Sequence, residues 1–210
     1  MKKLIFAAAA SLLACQSAMA SDWNGLYAGL GLSQNKSSAM YSDPTYDYWG
    51  NTLENRGSGM GESVYVGFNT GSEGALLGVE LQYGDIGISD DYYYDGGLIA
   101  DDYGDSLSLK VRTGVTIGQG LVYISAGLVD ADISHSFSFP GAVYLPETDN
   151  DNRGYSYAVG VEGKVSQAVS VRMEFSETAF SDEETFSPGG APYSLDDELS
   201  SFTLGAAFHF

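Results

Sequence analysis

Cysteine and basic residues are both scarce in this sequence. Its single cysteine, Cys15, lies in an apolar stretch near the start, so no disulfide framework can organise the fold. Nine Lys and Arg stand against 28 Asp and Glu, giving a formal net charge of −19. Nucleic-acid binding rests on neutralising phosphates with bases, so no nucleic-acid partner is expected of so acidic a chain. Two histidines, His135 and His209, leave little material for a general-base or metal centre. Beyond Ala20 no apolar run approaches the ~20 residues that a spanning helix needs.

Residues 1–20 read as a secretory signal peptide. Met1-Lys2-Lys3 is basic, Leu4 to Ala14 is apolar, and Ala18-Met19-Ala20 is a small-residue cleavage site. Cleavage there leaves residues 21–210, without cysteine, as one domain with no Pro/Ser-rich linker. It also removes Lys2 and Lys3, taking the formal charge to −21. A competing reading makes Leu12-Leu13-Ala14-Cys15 a lipoprotein box with Cys15 lipidated. Both send the protein out of the cytoplasm.

Alternation of apolar and polar residues recurs along the remaining chain, the mark of strands with one greasy side. In "SLSLKVRTGVTI", Leu107, Leu109, Val111, Val115 and Ile117 share a face, against Ser108, Lys110 and Arg112. Seven further segments phase the same way, from "WNGLYAGLGLSQ" (Leu26, Ala28, Leu30, Leu32) to "SFTLGAAFHF" (Phe202, Leu204, Ala206, Phe208, Phe210). The opposed face is small and polar. The turns "TGSEG", "GQG" and "VSQA" are short, whereas the alternate connections run to roughly twenty residues and are rich in Asp, Glu, Gly and Tyr. An apolar face this continuous is an aggregation hazard in water and a requirement in lipid, and only closure pairs every backbone group there. The expectation is an all-β fold: an eight-stranded antiparallel transmembrane β-barrel, with short periplasmic turns and four long extracellular loops, in the outer membrane of a Gram-negative bacterium.

The start Trp23-x-Gly25-x-Tyr27-x-Gly29 and the aromatic terminal strand ending in Phe210 resemble the small outer-membrane β-barrel proteins. These include the porin-like outer membrane immunogenic protein group, of OmpA/OmpX-type architecture. The resemblance implies that Phe208 and Phe210 form the signal read by the barrel assembly machinery. A monomer among outer-membrane lipid and lipopolysaccharide is expected, with a structural role in the envelope and with acidic, Tyr-rich loops exposed at the surface for interaction or adhesion.

Lys110, Arg112 and Arg172 then point into the lumen, where Glu80, Glu162 and Glu174 can balance them. Buried ions survive only when paired, so these six are expected to form an ion-pair network. Glu80, on the strand adjacent to Arg112, is the favoured partner, with Glu162 and Glu174 competing. Tyr123 and Gln82 add bulk, and no open channel is expected at eight strands. A network that gates a narrow pore, passing small solutes or cations, is the alternative.

The long connections hold the excess acid. "ETDNDNRG" invites an EF-hand reading, which Arg153 and Gly160 exclude at positions where a ligand and a Glu belong. Weak divalent-cation binding by Asp90, Asp91, Asp101, Asp102, Glu183 and Glu184 stands beside the alternative of merely solvated loops. Tyrosines among them, including Tyr92, Tyr93, Tyr94 and Tyr103, could anchor a surface ligand or pack the loops together. His135, beside Ser134, Ser136 and Asp132, matches no hydrolase spacing, and His209 reads as a polar lumen filler. No enzyme activity and no cofactor are expected.

Overall fold

The computed structural model describes residues 23–42, 52–72, 74–94, 97–138, 148–180 and 194–210. The proposed leader, with Cys15, and Glu183 and Glu184 lie outside the described residues. Eight strands follow one another: β1 Gly25–Ser42, β2 Thr52–Ser72, β3 Ala75–Tyr94, β4 Gly97–Ile117, β5 Gly120–Ser138, β6 Thr148–Lys164, β7 Val169–Phe180 and β8 Ser194–His209. Each pairs antiparallel with the next, and β1 pairs with β8 to close the barrel. One end carries tight connections. At the β4–β5 turn Gly118 has φ +62°, in the left-handed region that favours glycine.

The phasing expected for each strand holds. Leu26, Leu30, Leu32, Val111, Ile124, Tyr157, Met173 and Leu204 face outward and are exposed, and the opposed residues fill the lumen. This outward apolar band ends sharply. On β5 it runs Val122, Ile124, Ala126, Leu128, and the next outward positions are Asp130 and Asp132. On β3 it ends at Tyr83 before Asp85.

The strands do not end where the band does, and this shortens the second of the long connections. β3 continues to Tyr94 and β4 resumes at Gly97, so the second acidic connection is mostly paired strand. Above the band the amphipathic sense inverts without a change of face. On β5 the odd residues stay inward, but they change from Tyr123 and Ser125 to Val129, Ala131 and Ile133. With Ile86, Ile88, Tyr103, Phe180 and Leu199 these form an apolar plug inside the extramembrane part of the barrel. Water has replaced lipid as the outer solvent, so the apolar residues turn to the interior.

One irregularity redirects the charges. Register shifts in β3–β4 pairing between Asp85 and Ile88, and in β4–β5 pairing between Tyr103 and Ser106. Below that bulge the even residues of β4, such as Lys110 and Arg112, face inward. Above it the odd residues Tyr103 and Asp101 do. A one-residue offset turns every later side chain to the other face.

Candidate functional site

Two polar clusters occupy the interior, one inside the apolar band and one beyond it. The first contains all six charges anticipated for the lumen, each at most 7% exposed. Lys110 Nζ lies 3.0 Å from Glu174 Oε1 and donates to Gln82 Oε1 at 2.9 Å. Arg112 Nη2 donates to Glu162 Oε2 at 2.8 Å, and Arg172 Nη1 to Glu80 Oε2 at 2.6 Å.

The preference for Glu80 as the partner of Arg112 is therefore corrected. Glu80 lies 3.6 Å from Arg112 Nη1 and gives its short contact to Arg172. Glu80 is the register neighbour of Lys110, yet Lys110 also pairs elsewhere. Side chains in a narrow barrel meet across the lumen, so sequence adjacency of strands does not select partners.

Tyrosines complete the cluster. Tyr27 donates its hydroxyl to Glu80 Oε2 at 2.8 Å, and Tyr123 donates to Glu174 Oε2 at 2.8 Å. Arg112 sits 4.1 Å over the Tyr123 ring and Arg172 3.6 Å over that of Tyr65. These rings fit because glycine stands opposite. Gly67 is the register partner of Tyr27 and Gly160 that of Tyr123, and a Cβ at either would lie 2.3 Å from the ring. Towards the chain termini, His209 is buried with Nε2 2.9 Å from Ser170 Oγ, the polar filler expected of it.

The second cluster was not anticipated. His135 lies beyond the band and uses both ring nitrogens. Nδ1 is 2.8 Å from Asp101 Oδ1 and Nε2 is 3.1 Å from Asp197 Oδ2. Asn55 donates to the other oxygen of Asp101, and Tyr103 to Asp197 Oδ1 at 2.8 Å. Burial lowers the affinity of His135 for a proton, but the two carboxylates outweigh it and raise the pKa to about 9. Each ring nitrogen thus faces a carboxylate oxygen, an arrangement that favours the doubly protonated ring. Burial, followed by the Asp197 charge, holds the Tyr103 phenol well above its ordinary range. The cluster joins β2, β4, β5 and β8. Between the first cluster and the apolar plug is a cavity of about 70 Å³, lined by Ser33, Gln82, Ser108, Lys110 and Glu174 together with Ile86, Val129 and Leu199 of the plug.

This geometry also decides two other expectations. Of the six proposed cation ligands, the four among the described residues are divided between the two faces of the barrel wall. Asp101 is buried and committed to His135 and Asn55, Asp90 is half-buried, and Asp91 and Asp102 point outward. Asp101 leaves that set because the β4 bulge turned it inward, and no metal-holding group of His, Cys, Asp and Glu occurs among the described residues. His135 and Asp132 face opposite sides of β5, so the hydrolase arrangement is not assembled. Tyr103 belongs to the interior, whereas Tyr92 and Tyr93 are exposed.

The family of the outer membrane protein β-barrel domain matches this sequence over residues 5–210. The chain belongs to that family. The barrel resides in the outer membrane, its apolar band against lipid. A 22 kDa outer membrane protein of Rhizobium leguminosarum bv. viciae is 26% identical over 191 residues, 91% of this chain and 80% of that protein. Among solved structures, OprG of Pseudomonas aeruginosa is 9% identical with a TM-score of 0.47, covering 89% of this chain and 96% of OprG. Ail, the attachment invasion locus protein of Yersinia pestis, is 12% identical with a TM-score of 0.46, covering 89% of this chain and 99% of Ail.

Proposed function

We propose that the protein is a non-conducting structural barrel of the envelope that holds a rigid, acidic collar above the membrane for surface interaction. The filling of the lumen carries this reading. Arg112, Tyr27, Tyr123 and Arg172 are each at most 3% exposed, and the apolar plug closes the extramembrane part above them. The strands that continue past the band give the collar its stiffness, and Asp102, Asp132, Glu177 and Glu198 give it its charge. A surface so charged favours partners of basic chemistry. No catalytic role is assigned, because both nitrogens of His135 are engaged by carboxylates.

Planar-bilayer recording separates this from the narrow-porin alternative. The purified barrel is expected to give no discrete conductance steps, and stable cation-selective steps abolished by filling the lumen would establish the porin instead. A deletion strain should show altered envelope integrity and surface binding without a loss of small-solute uptake.

Assembly is proposed to depend on the last strand. Phe208 and Phe210 stack edge to face at 5.2 Å, and the Phe210 amide donates to the Leu26 carbonyl at 2.9 Å across the closing seam. Deleting Phe210 is expected to lower outer-membrane levels far more than Phe210→Tyr. Normal insertion kinetics for the deletion would remove the assembly-signal role.

A further inference from the structure

On the outer face of the barrel a groove of about 500 Å³ crosses β8, β1, β2, β3 and β4. Two rows of cross-strand neighbours wall it. One runs Leu204, Leu32, Glu62, Asp85, Asp105, and the other Ala206, Leu30, Val64, Tyr83. Its floor is the row Gly205, Gly31, Ser63, Gly84, whose members point inward or carry no side chain.

The groove is not uniform along its length. At β8 and β1 it is wholly apolar, since Leu204 lies between Phe202 and Ala206 inside the band. It rises to the edge of the band, where Asp85 is the first acid after Tyr83 on β3 and Asp105 borders Leu107 on β4. There Glu62 opposes Asp85 and Asp85 opposes Asp105 in register. Like charges directly opposite on neighbouring strands are destabilising, more so at the margin of hydrocarbon, where solvation is poorer. Tyr83 donates to Asp105 Oδ2 at 2.7 Å and holds that carboxylate over the groove.

We propose that this groove binds one outer-leaflet amphiphile, an acyl chain whose head group carries a protonated amine. The chain lies along Leu204, Leu32 and Leu30, and the ammonium sits among Glu62, Asp85 and Asp105. Bulk lipid chains are as apolar as the groove, so the chain gains packing and orientation there rather than hydrophobic free energy. Selection comes from the head group. An ammonium relieves the repulsion among the three carboxylates, whereas a phosphate adds to it.

The test uses the full chain refolded in phosphatidylcholine vesicles that contain a trace of one spin-labelled chain. The chain is carried by an alkylamine, by phosphatidylcholine or by phosphatidylglycerol, and the fraction held immobile by the protein is read by electron paramagnetic resonance. The amine is expected to associate roughly threefold to tenfold more strongly than phosphatidylcholine, the range for a few exposed ion pairs. The variant Glu62→Gln/Asp85→Asn/Asp105→Asn should abolish that preference. Glu177→Gln/Asp196→Asn/Glu198→Gln, which removes as much charge elsewhere, should retain it. Ala206→Phe, which fills the apolar end with every carboxylate intact, should also reduce it. All variants are first checked for heat-dependent gel mobility, and single Asp85→Asn replaces the triple variant if that fails to fold. Equal loss in both charge-removing triple variants would reduce the effect to long-range attraction and overturn the site. So would an unaffected Ala206→Phe, or phosphatidylglycerol with millimolar Ca²⁺ held as strongly as the amine.

Discussion

Arg112→Met is expected to destabilise the barrel by about 3–5 kcal/mol, the cost of leaving a buried charge without its partner. The abandoned group is Glu162, 2% exposed, which loses the 2.8 Å contact from Arg112 Nη2 and keeps Ser170 and His209 beside it. Adding Glu162→Gln should recover much of the loss. Adding Glu80→Gln instead should recover less, because Glu80 holds Arg172 at 2.6 Å and accepts from Tyr27, so its removal strands another base. Urea unfolding in vesicles supplies both double-mutant cycles. Strict additivity for Arg112 and Glu162 would mean that the pair contributes nothing.

The second large effect is a dependence on pH in the extramembrane part of the barrel. His135 has a folded pKa of about 9 against an ordinary value of 6.5. Raised in this direction, the group lends stability fully present below pH 6.5 and lost as pH climbs through 9. The shift corresponds to about 3 kcal/mol. The charged or titratable groups around the ring are Asp101 and Tyr103 from β4 and Asp197 from β8, with Asp90 of β3 opposite Asp101. Resonances of the His135 ring should titrate near pH 9. Amide exchange at Ile133 and Leu199, corrected for intrinsic rates, should accelerate over the same range. In His135→Gln the acceleration should be gone and protection low throughout. A ring titrating near pH 6.5 would show that the carboxylates do not hold it.

What could be read from the sequence was set by how strictly alternation reports solvent. Within the band, lipid outside and polar packing inside give each strand one unmistakable face. Leu30, Val111 and Leu204 could therefore be placed outward, and Lys110, Arg112 and Glu174 inward, from spacing alone. The same alternation runs through "VDADISH", but with Val129, Ala131 and Ile133 as the interior set and acids outside. Read by composition, that stretch resembles a loop; read by period, it is a strand in a different solvent.

The position of Asp101 was beyond reach for another reason. A bulge between Tyr103 and Ser106 decides which of Asp101 and Asp102 faces the interior, and neither residue's neighbours announce it. Partner choice in the lumen failed for a third reason. Whether Arg112 meets Glu80 or Glu162 depends on the stagger of the closed barrel, which only the complete register determines.

Cysteine scanning along β5 tests the central claim, a closed and internally packed barrel that continues past the membrane. In a Cys15→Ser background, single cysteines from Val122 to His135 are labelled in vesicles with one membrane-soluble and one aqueous thiol reagent. At positions 122, 124, 126 and 128 the membrane reagent alone should react, and at Asp130 and Asp132 the aqueous reagent alone. At the odd positions, 123 to 135, neither should react. Aqueous labelling of the odd positions at membrane depth, or uniform labelling from Val129 onward, would contradict the packed lumen or the continued strand.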